Sequence, residues 1–251
     1  MPAKLAAKYA VNANNKVALR GGKATSSGLP PKAPKGNFSR GKKATQSGKT
    51  PSKLKRRKPV VDQLDEATVK EMLKKALKTK AVGYGAFAKV YRVTYKGTIC
   101  AMKVGTPEAD EFGDTGEDML QHEIARLLAA QGVKHCIRCL GYYKRQKGSS
   151  TPPVVLLQWA PMDLCDDASE FTKLELLKIW KQVFIALQEV HKKQVHFDVK
   201  PENILLDDKK NAYLADFGLA ESLHTSRKTK GHEASGSPGF EAPEVRKGAI
   251  L

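Results

Sequence analysis

The chain has 251 residues and a formal net charge of +18, and 41% of its residues are hydrophobic. This length and composition are sufficient for one α/β domain, or two modest ones, with a buried core, and they exclude disorder throughout the chain. No stretch approaches the ~20 consecutive apolar residues that a membrane-spanning helix needs, so we expect no membrane span.

The positive charge is concentrated at the amino terminus. Residues 1–61 contain sixteen Lys or Arg and no Asp or Glu, so they carry all but two of the net positive charges. They are poor in large apolar residues and rich in Gly, Pro, Ser, Ala and Asn. Because such a segment cannot bury enough surface to offset its ordering entropy, we predict a disordered basic tail over residues 1–61.

The tail ends in a basic cluster from Lys53 to Pro59, with the sequence KLKRRKP. Such clusters are typical of nuclear import signals and of patches that bind polyanions, so an import receptor or a polyanion is the expected partner. Two alternatives remain open: a solvated run of charge without a receptor, and an organelle transit segment, which a lack of acidic residues also fits. We expect localisation in the nucleus or cytoplasm, with an organelle as the alternative.

The segment after the tail predicts a small lobe preceded by a helix. Residues 62–80 have apolar residues at near-helical intervals, acidic residues early and lysines late, which predicts an amphipathic leading helix. Residues 80–101 alternate between apolar and polar and contain glycine turns, which predicts two hairpins. A second helix is predicted over residues 117–131, and further strands over residues 133–143 and 153–159.

A second lobe is predicted to begin with a long helix over residues 173–193. Short apolar strands follow over residues 204–206 and 213–215, on either side of a charged turn. The apolar face of the long helix comprises Leu176, Leu177, Trp180, Val183, Phe184, Leu187 and Val190.

Several short motifs follow one another along these elements. Gly83 and Gly85 form a glycine-rich turn, and Lys103 lies one strand later. The later motifs are His196-Phe197-Asp198 with Lys200 and Asn203, then Asp216-Phe217-Gly218, then Ala242-Pro243-Glu244. In this order and spacing the motifs resemble those of the eukaryotic protein kinase family, serine/threonine type, over about residues 82–244.

The resemblance implies an α+β, two-lobed protein-kinase-like fold with a small antiparallel-sheet lobe over residues 81–160. The helical lobe over residues 161–251 is expected to be incomplete, because only seven residues follow Glu244. The resemblance also implies ATP and Mg²⁺ in the cleft between the lobes and a protein substrate with a Ser or Thr acceptor.

Two classes of function compete at this point. One is an ATP-dependent serine/threonine protein kinase that transfers the γ-phosphate of ATP, which the truncation could leave inactive on its own. The other is a catalytically weak ATP-binding or regulatory module of the pseudokinase kind. The complete set of chemically demanding residues favours the kinase, whereas the truncation favours the regulatory module.

Within the resemblance, the phosphate-binding side chains come from the small lobe. The ammonium of Lys103 would hold the first two phosphates of ATP. Glu123 is expected to pair with Lys103, and it is preferred over Glu117 because its position fits the apolar frame of the predicted helix better.

The catalytic side chains come from the later motifs. Asp198 would orient the acceptor hydroxyl, and Lys200 would neutralise the transferring phosphoryl group. Asn203 and Asp216 would hold Mg²⁺ through their oxygens, which are the ligands that hard cations prefer.

The remaining nucleotide contacts are expected from the glycine-rich turn, the strands and the hinge between the lobes. Glycines let backbone amides approach a phosphate without obstruction by a side chain. Leu157 would lie behind the adenine, Gln158 to Ala160 would form the hinge, and Asp163 would lie near the ribose. The expected nucleotide-binding residues are Gly83, Tyr84, Gly85, Ala86, Phe87, Val90, Ala101, Lys103, Leu157, Gln158, Ala160, Asp163, Asn203, Leu205 and Asp216.

Phe197 departs from the family pattern. Most members have Arg there, and that Arg binds a phosphate on the activation segment. We therefore expect that phosphorylation of this segment is not the main on-switch. The hydroxyls of the activation segment to which this expectation applies are Thr225, Ser226, Thr229 and Ser235.

Ser237 stands further along the chain, where serine/threonine kinases have a hydroxyl that contacts the catalytic aspartate and lysine.

Overall fold

The computed structural model describes residues 60–85, 87–111, 113–165, 171–222 and 236–243. Several sequence-based expectations lie outside the described residues. These are the basic tail before Val60 with its cluster, Ala86, the four activation-segment hydroxyls and Glu244.

The first part of the fold is a six-stranded sheet with two helices. The strands lie in the order β1-β5-β6-β4-β3-β2, with β1 parallel to β5 and the other neighbours antiparallel. Its elements are β1 (Asp62–Gln63), α1 (Glu66–Ala76), β2 (Gly83–Tyr84), β3 (Ala88–Tyr95), β4 (Thr98–Gly105), α2 (Gly116–Ala130), β5 (Cys139–Tyr143) and β6 (Val154–Gln158).

The leading helix is shorter than the predicted 62–80, because its first residues form a strand. Asp62 and Gln63 pair with Gly141 and Tyr142 of β5. The helix begins only after Asp65, whose side chain accepts a hydrogen bond of 2.8 Å from the backbone N–H of Thr68. An N-cap of this kind satisfies a backbone donor that the first turn leaves unpaired.

Helix α1 packs against the face of the sheet on which Met102 lies. Val69 and Ala76 are buried in a cluster with Met102 of β4 and Tyr143 of β5. Since β-strand side chains alternate between the two faces, burying Met102 under α1 directs the neighbouring Lys103 to the opposite face. The segment before β2 is thus part of the core of the small lobe.

The predicted strand over residues 133–143 is wrong in its first half. His135 has a positive φ angle of 62°, which differs from the extended backbone of a strand, and Gly132, just before the predicted strand, has a φ angle of 84°. The backbone here pairs with Leu214 instead, through hydrogen bonds from Leu214 N to His135 O (2.8 Å) and from Ile137 N to Leu214 O (2.9 Å). The strand β5 starts only at Cys139.

The second part of the fold contains one long helix and short strands. The strands form a three-stranded sheet, β10-β9-β7, and a two-stranded sheet, β11-β8. The elements are β7 (Met162–Asp163), α3 (Lys173–Val190), β8 (Gln194–Val195), a 3₁₀ turn (Pro201–Asn203), β9 (Ile204–Leu206), β10 (Ala212–Leu214) and β11 (Glu221–Ser222).

Helix α3 buries only part of its apolar surface. Ile179 and Val183 are fully buried, whereas Leu177 and Phe184 on the predicted apolar face are 67% and 65% exposed. None of the helices within the described residues has the length and apolar character of a membrane-spanning segment.

One buried cluster connects the two parts of the fold. It contains Leu127 of α2, Leu157 of β6, Val190 of α3 and Phe217, which is fully buried. The segments that carry Glu123 and Asp216 therefore pack on a common core, which limits their relative movement.

Candidate active site

Lys103 forms an ion pair with Glu123 across the small lobe. Its Nζ lies 2.7 Å from Oε2 of Glu123 and 3.3 Å from Oδ1 of Asp216. Glu123 is buried, with 3% of its surface exposed. Glu117, the alternative partner, pairs with Arg145 instead. The structure therefore brings together the three predicted residues Lys103, Glu123 and Asp216.

Burial and the neighbouring charges shift the pKa of each residue in this group. Burial alone would lower the pKa of Lys103, but the carboxylates of Asp216 and Glu123 outweigh it and raise that pKa above its ordinary value. The charge of Lys103 in turn lowers the pKa of Asp216. Burial raises the pKa of Glu123 despite the attraction of Lys103. Lys103 is thus a charged ammonium between two carboxyl groups.

Asp198 lies at the centre of a second group. Its Oδ1 accepts hydrogen bonds from Oγ of Ser237 (2.8 Å) and from the Ser237 backbone N–H (3.2 Å). Its Oδ2 lies 3.0 Å from Nζ of Lys200, which also donates to Oγ of Ser237 at 2.5 Å. A hydroxyl is therefore held between the predicted base and the predicted phosphoryl-stabilising lysine.

Asn203 links the two groups. Its Nδ2 donates to the backbone carbonyl and to Oδ2 of Asp198, both at 2.8 Å. Its own carbonyl accepts from the backbone N–H of Ala215 at 2.9 Å, which brings Asn203 next to Asp216. Asp216 has a positive φ of 58°. Such a backbone is uncommon outside glycine and is frequent at functional sites.

The oxygens of this region suit a hard cation. Because Nδ2 of Asn203 is used by Asp198, its Oδ1 is the side-chain atom left to bind a cation. The side chain of Asp216 is 45% exposed, and only its Oδ1 takes a hydrogen bond from the described residues. The described residues contain no group of three or more His, Cys, Asp or Glu that could hold a metal alone. One carboxylate and one amide fit Mg²⁺ that is also held by substrate phosphates.

His196 supports both groups, although no role was predicted for it. The backbone N–H of Asp198 donates to Nδ1 (3.3 Å), so Nδ1 is the acceptor, and Nε2 donates to the carbonyl of Ala215 (3.0 Å). The ring is fully buried, and burial lowers its pKa, which agrees with a neutral imidazole. It also contacts Phe217 edge-on, with ring centroids 4.8 Å apart. Its position in the motif with Asp198 was the signal available in the sequence.

The glycine-rich turn is a β-hairpin. Gly83 pairs with Val90 across β2 and β3, and the backbone N–H of Gly85 donates to the carbonyl of Ala88 at 2.9 Å. Val90 in turn lies opposite Lys103 in the sheet. The predicted phosphate-binding hairpin and lysine are therefore on adjacent strands.

The other predicted nucleotide contacts lie on neighbouring strands. Ala101 pairs with Leu157 across β4 and β6, and Leu205 pairs with Asp163 across β9 and β7. Val90, Ala101, Ala160 and Leu205 are half-buried. Tyr84 is exposed and Phe87 is half-buried.

Two of the predicted nucleotide-binding residues, Gln158 of the hinge and Asp163 beyond it, are already engaged in local contacts. The backbone N–H of Gln158 donates to the carbonyl of Arg138 at 2.9 Å, so it is not available to a base. Asp163 is 3% exposed, and its Oδ1 accepts from the backbone N–H of Cys165 at 2.8 Å. The burial of Asp163 does not support the predicted contact with a ribose.

Known proteins with similar sequences are named as protein kinases. The carbon catabolite-derepressing protein kinase of Candida tropicalis is 30% identical over 178 residues, which cover 68% of this chain and 27% of the relative. Its namesake from Secale cereale is 33% identical over 192 residues, covering 72% and 36%. The serine/threonine protein kinase OSK3 of Oryza sativa subsp. japonica is 42% identical over 77 residues, covering 30% and 15%. The chain thus spans between 15% and 36% of the length of these relatives.

A family model described as "Protein kinase domain" matches residues 77–249. The match covers more than half of the 251 residues and includes every residue of the two groups around Lys103 and Asp198. The chain therefore belongs to the protein kinase family.

Proposed function

We propose that this chain is a serine/threonine protein kinase domain that transfers the γ-phosphate of ATP to Ser or Thr hydroxyls of a protein. The observation that carries the proposal is the convergence of two charged groups, one around Lys103 and one around Asp198, which are linked through Asn203. Burying charged groups costs free energy, and buried charged clusters of this kind concentrate at functional sites.

Each side chain has a role that follows from its contacts. Lys103, fixed by Glu123, would neutralise phosphate charge. Asp198 would accept a hydrogen bond from the acceptor hydroxyl and orient it, as it already does with Ser237. Lys200, 3.0 Å from Asp198, would stabilise the charge on the phosphoryl group as it moves between the two oxygens.

We propose Mg²⁺ as the cation and Asp216 and Asn203 as its protein ligands. When bound, the ion would neutralise the phosphate charge that develops during transfer. The lowered pKa of Asp216 keeps its carboxylate ionised at neutral pH, as a ligand for a hard cation must be.

A thermal-shift titration with Mg-ATP tests nucleotide binding, because a ligand that binds the folded state raises its apparent stability. We expect a magnesium-dependent rise in melting temperature that Asp216→Ala abolishes. Asp208→Ala removes an exposed carboxylate from the β9–β10 turn and should leave the rise intact. A rise that persists in Asp216→Ala would contradict the assigned metal ligand. Binding without any transfer to protein would favour the catalytically weak, regulatory alternative.

We also propose that the basic cluster from Lys53 to Pro59 directs the protein to the nucleus. Its composition supports this proposal. A fluorescent fusion should accumulate in nuclei and lose this localisation when the five basic residues of the cluster are replaced by Ser. Accumulation in an organelle would support the transit-segment alternative instead.

A further inference from the structure

Three backbone segments meet between the glycine-rich hairpin and helix α2. The backbone N–H of Thr106, which follows β4, donates to the carbonyl of Phe87 at 3.1 Å. The carbonyl of Thr106 accepts from the backbone N–H of Glu117, in the first turn of α2, at 3.0 Å. We call the contact between Phe87, Gly105–Thr106 and Gly116–Glu117 the three-segment junction.

Two glycines make this junction possible. A Cβ atom on Gly116 would lie 2.1 Å from the carbonyl oxygen of Phe87 and 2.9 Å from that of Thr106. A Cβ atom on Gly105 would lie 2.8 Å from both Cα of Glu117 and the carbonyl oxygen of Gly116. All of these neighbours are backbone atoms, which cannot move aside as the end of a flexible side chain can. Neither glycine has a positive φ, so the requirement is close contact and not an unusual backbone conformation.

The junction lies between the parts of the site that must act together. Gly105 is two residues beyond Lys103 on the same strand, and Gly116 begins the helix that carries Glu123. Phe87 is one residue before β3, the second strand of the glycine-rich hairpin. A shift of α2 relative to the hairpin would therefore break the Thr106 hydrogen bonds on one side or the other.

We propose that Gly116 is a positioning residue, and that the three-segment junction makes the glycine-rich hairpin and helix α2 move as one body. The junction holds Glu123 in register with Lys103 in the nucleotide-free protein. It also transmits any ordering of the hairpin by nucleotide to α2. This second consequence rests on the proposed function, whereas the first does not.

Hydrogen exchange of the unmodified chain tests the proposal without a substitution. The opening free energy of each amide is measured at several low concentrations of denaturant. Amides that open in one cooperative unit converge on the same opening free energy. We expect the amides of Gly85, Thr106 and Glu117 to converge on one value. Opening of the Gly85 amide while the amides of Thr106 and Glu117 remain closed would overturn the proposal.

Gly116→Ala tests the residue itself, because an added methyl group in a fully packed contact forces the backbone to shift. We expect the Gly85 amide, on the other side of the junction, to exchange about tenfold faster than in the unmodified chain. Amides of β6 in the same sample should be unchanged, which shows that the variant is folded. Glu111→Ala, an exposed position in the loop between β4 and α2, should change neither. Unchanged exchange at Gly85 in Gly116→Ala would overturn the proposal.

Gly105→Ala adds a methyl group to the same junction from the β4 side and therefore tests the junction independently of Gly116. Since either methyl group alone separates the segments, the double variant should exchange no faster at Gly85 than the more affected single variant. Additive effects of the two substitutions would contradict a single shared junction.

Adding Mg-ATP separates this proposal from the proposed function. In the unmodified chain, we expect protection to rise at Gly85 and at Glu117 together; in Gly116→Ala, it should rise at Gly85 alone. Protection confined to the hairpin of the unmodified chain would overturn the coupling and leave ATP binding intact. If no amide responded to Mg-ATP, the proposed function would fail, and the measurements on the nucleotide-free protein would still decide the coupling.

Discussion

Glu123→Gln isolates the effect of one negative charge at the centre of the site. The substitution preserves the shape of the side chain but replaces the charged partner of Lys103, whose Nζ lies 2.7 Å from Oε2, with a neutral amide. Hydrogen bonds to charged groups contribute roughly 1.5–3 kcal/mol, about twice the contribution of neutral ones. Gln retains a neutral hydrogen bond, and Asp216 remains 3.3 Å from Lys103. We therefore expect the substitution to weaken the interaction that positions Lys103 by about 1–2 kcal/mol. This corresponds to a roughly 5- to 30-fold fall in kcat/KM for ATP.

The effect of Glu123→Gln on stability should be smaller than its effect on activity. Burial raises the pKa of Glu123, so the charged side chain already pays a desolvation cost that Gln removes. We expect a loss of about 1 kcal/mol in the free energy of unfolding, below the roughly 3–5 kcal/mol typical when one partner of an isolated buried ion pair is removed.

The assay is steady-state phosphoryl transfer to a generic protein substrate, together with thermal melting. Glu117→Gln is the matched control, because it neutralises another paired glutamate of α2, whose side chain is 12% exposed and whose partner Arg145 is 37% exposed. Equal kcat/KM values for Glu123→Gln, Glu117→Gln and the unmodified chain would refute the assigned role of Glu123.

Three further predictions address stability and regulation. Val69→Ala removes a fully buried contact between α1 and the sheet and should lower the free energy of unfolding by about 2 kcal/mol. Leu77→Ala, at a site that is 66% exposed, should lower it only slightly, and thermal melting of both variants tests the difference. Since burial lowers the pKa of His196 from 6.5, stability should be retained above about pH 6.5 and should fall as the pH drops below it, because the unfolded state then binds the proton more readily. His196→Asn should flatten this dependence between pH 7 and about pH 5, and an unchanged slope would exclude His196 as its source. Because Phe197 replaces the usual phosphate-binding Arg, phosphatase treatment should leave kinase activity intact, and loss of activity would contradict this prediction.

The local signals in the sequence predicted most of the helices and central strands. Helix α2 was predicted over residues 117–131 and is observed over Gly116–Ala130, with Thr115 as its N-cap. The strand β9 was predicted over residues 204–206, where it is observed. Helix α2 has a clear apolar period and begins at a capping residue, and β9 is a short apolar run beside a charged turn; these are properties of the local sequence.

The errors arose where distant contacts decide the structure. The strand Asp62–Gln63 exists only through its pairing with Gly141 and Tyr142, so it was missed. The start of the helix did have a local signal, because Asp65 is a typical N-cap residue. In the same way, the segment after residue 133 was predicted as a strand, but the chain turns at His135 and pairs with Leu214. Strand pairing of this kind depends on context more than helix formation does.

The site was more predictable than its supporting contacts. Fixed spacing located Lys103, Asp198 and Asp216, and the helical frame selected Glu123 over Glu117. Spacing carried no information on the three-segment junction, because a glycine needed for close contact has the same sequence signature as one in an ordinary loop.

Phosphoryl transfer by Asp198→Asn is the most decisive test of the proposed kinase activity. Asn has the shape of Asp198, and its oxygen can still accept from Ser237. Its NH2 group replaces the Oδ2 that accepts from Asn203 and pairs with Lys200, and it cannot act as a carboxylate toward an acceptor hydroxyl. With Mg-ATP and a protein substrate, we expect transfer by the unmodified chain, and a fall of about 10²- to 10⁴-fold in kcat for Asp198→Asn, with a much smaller change in ATP affinity. Equal transfer rates for the two proteins, or binding of Mg-ATP by the unmodified chain without transfer, would contradict the account.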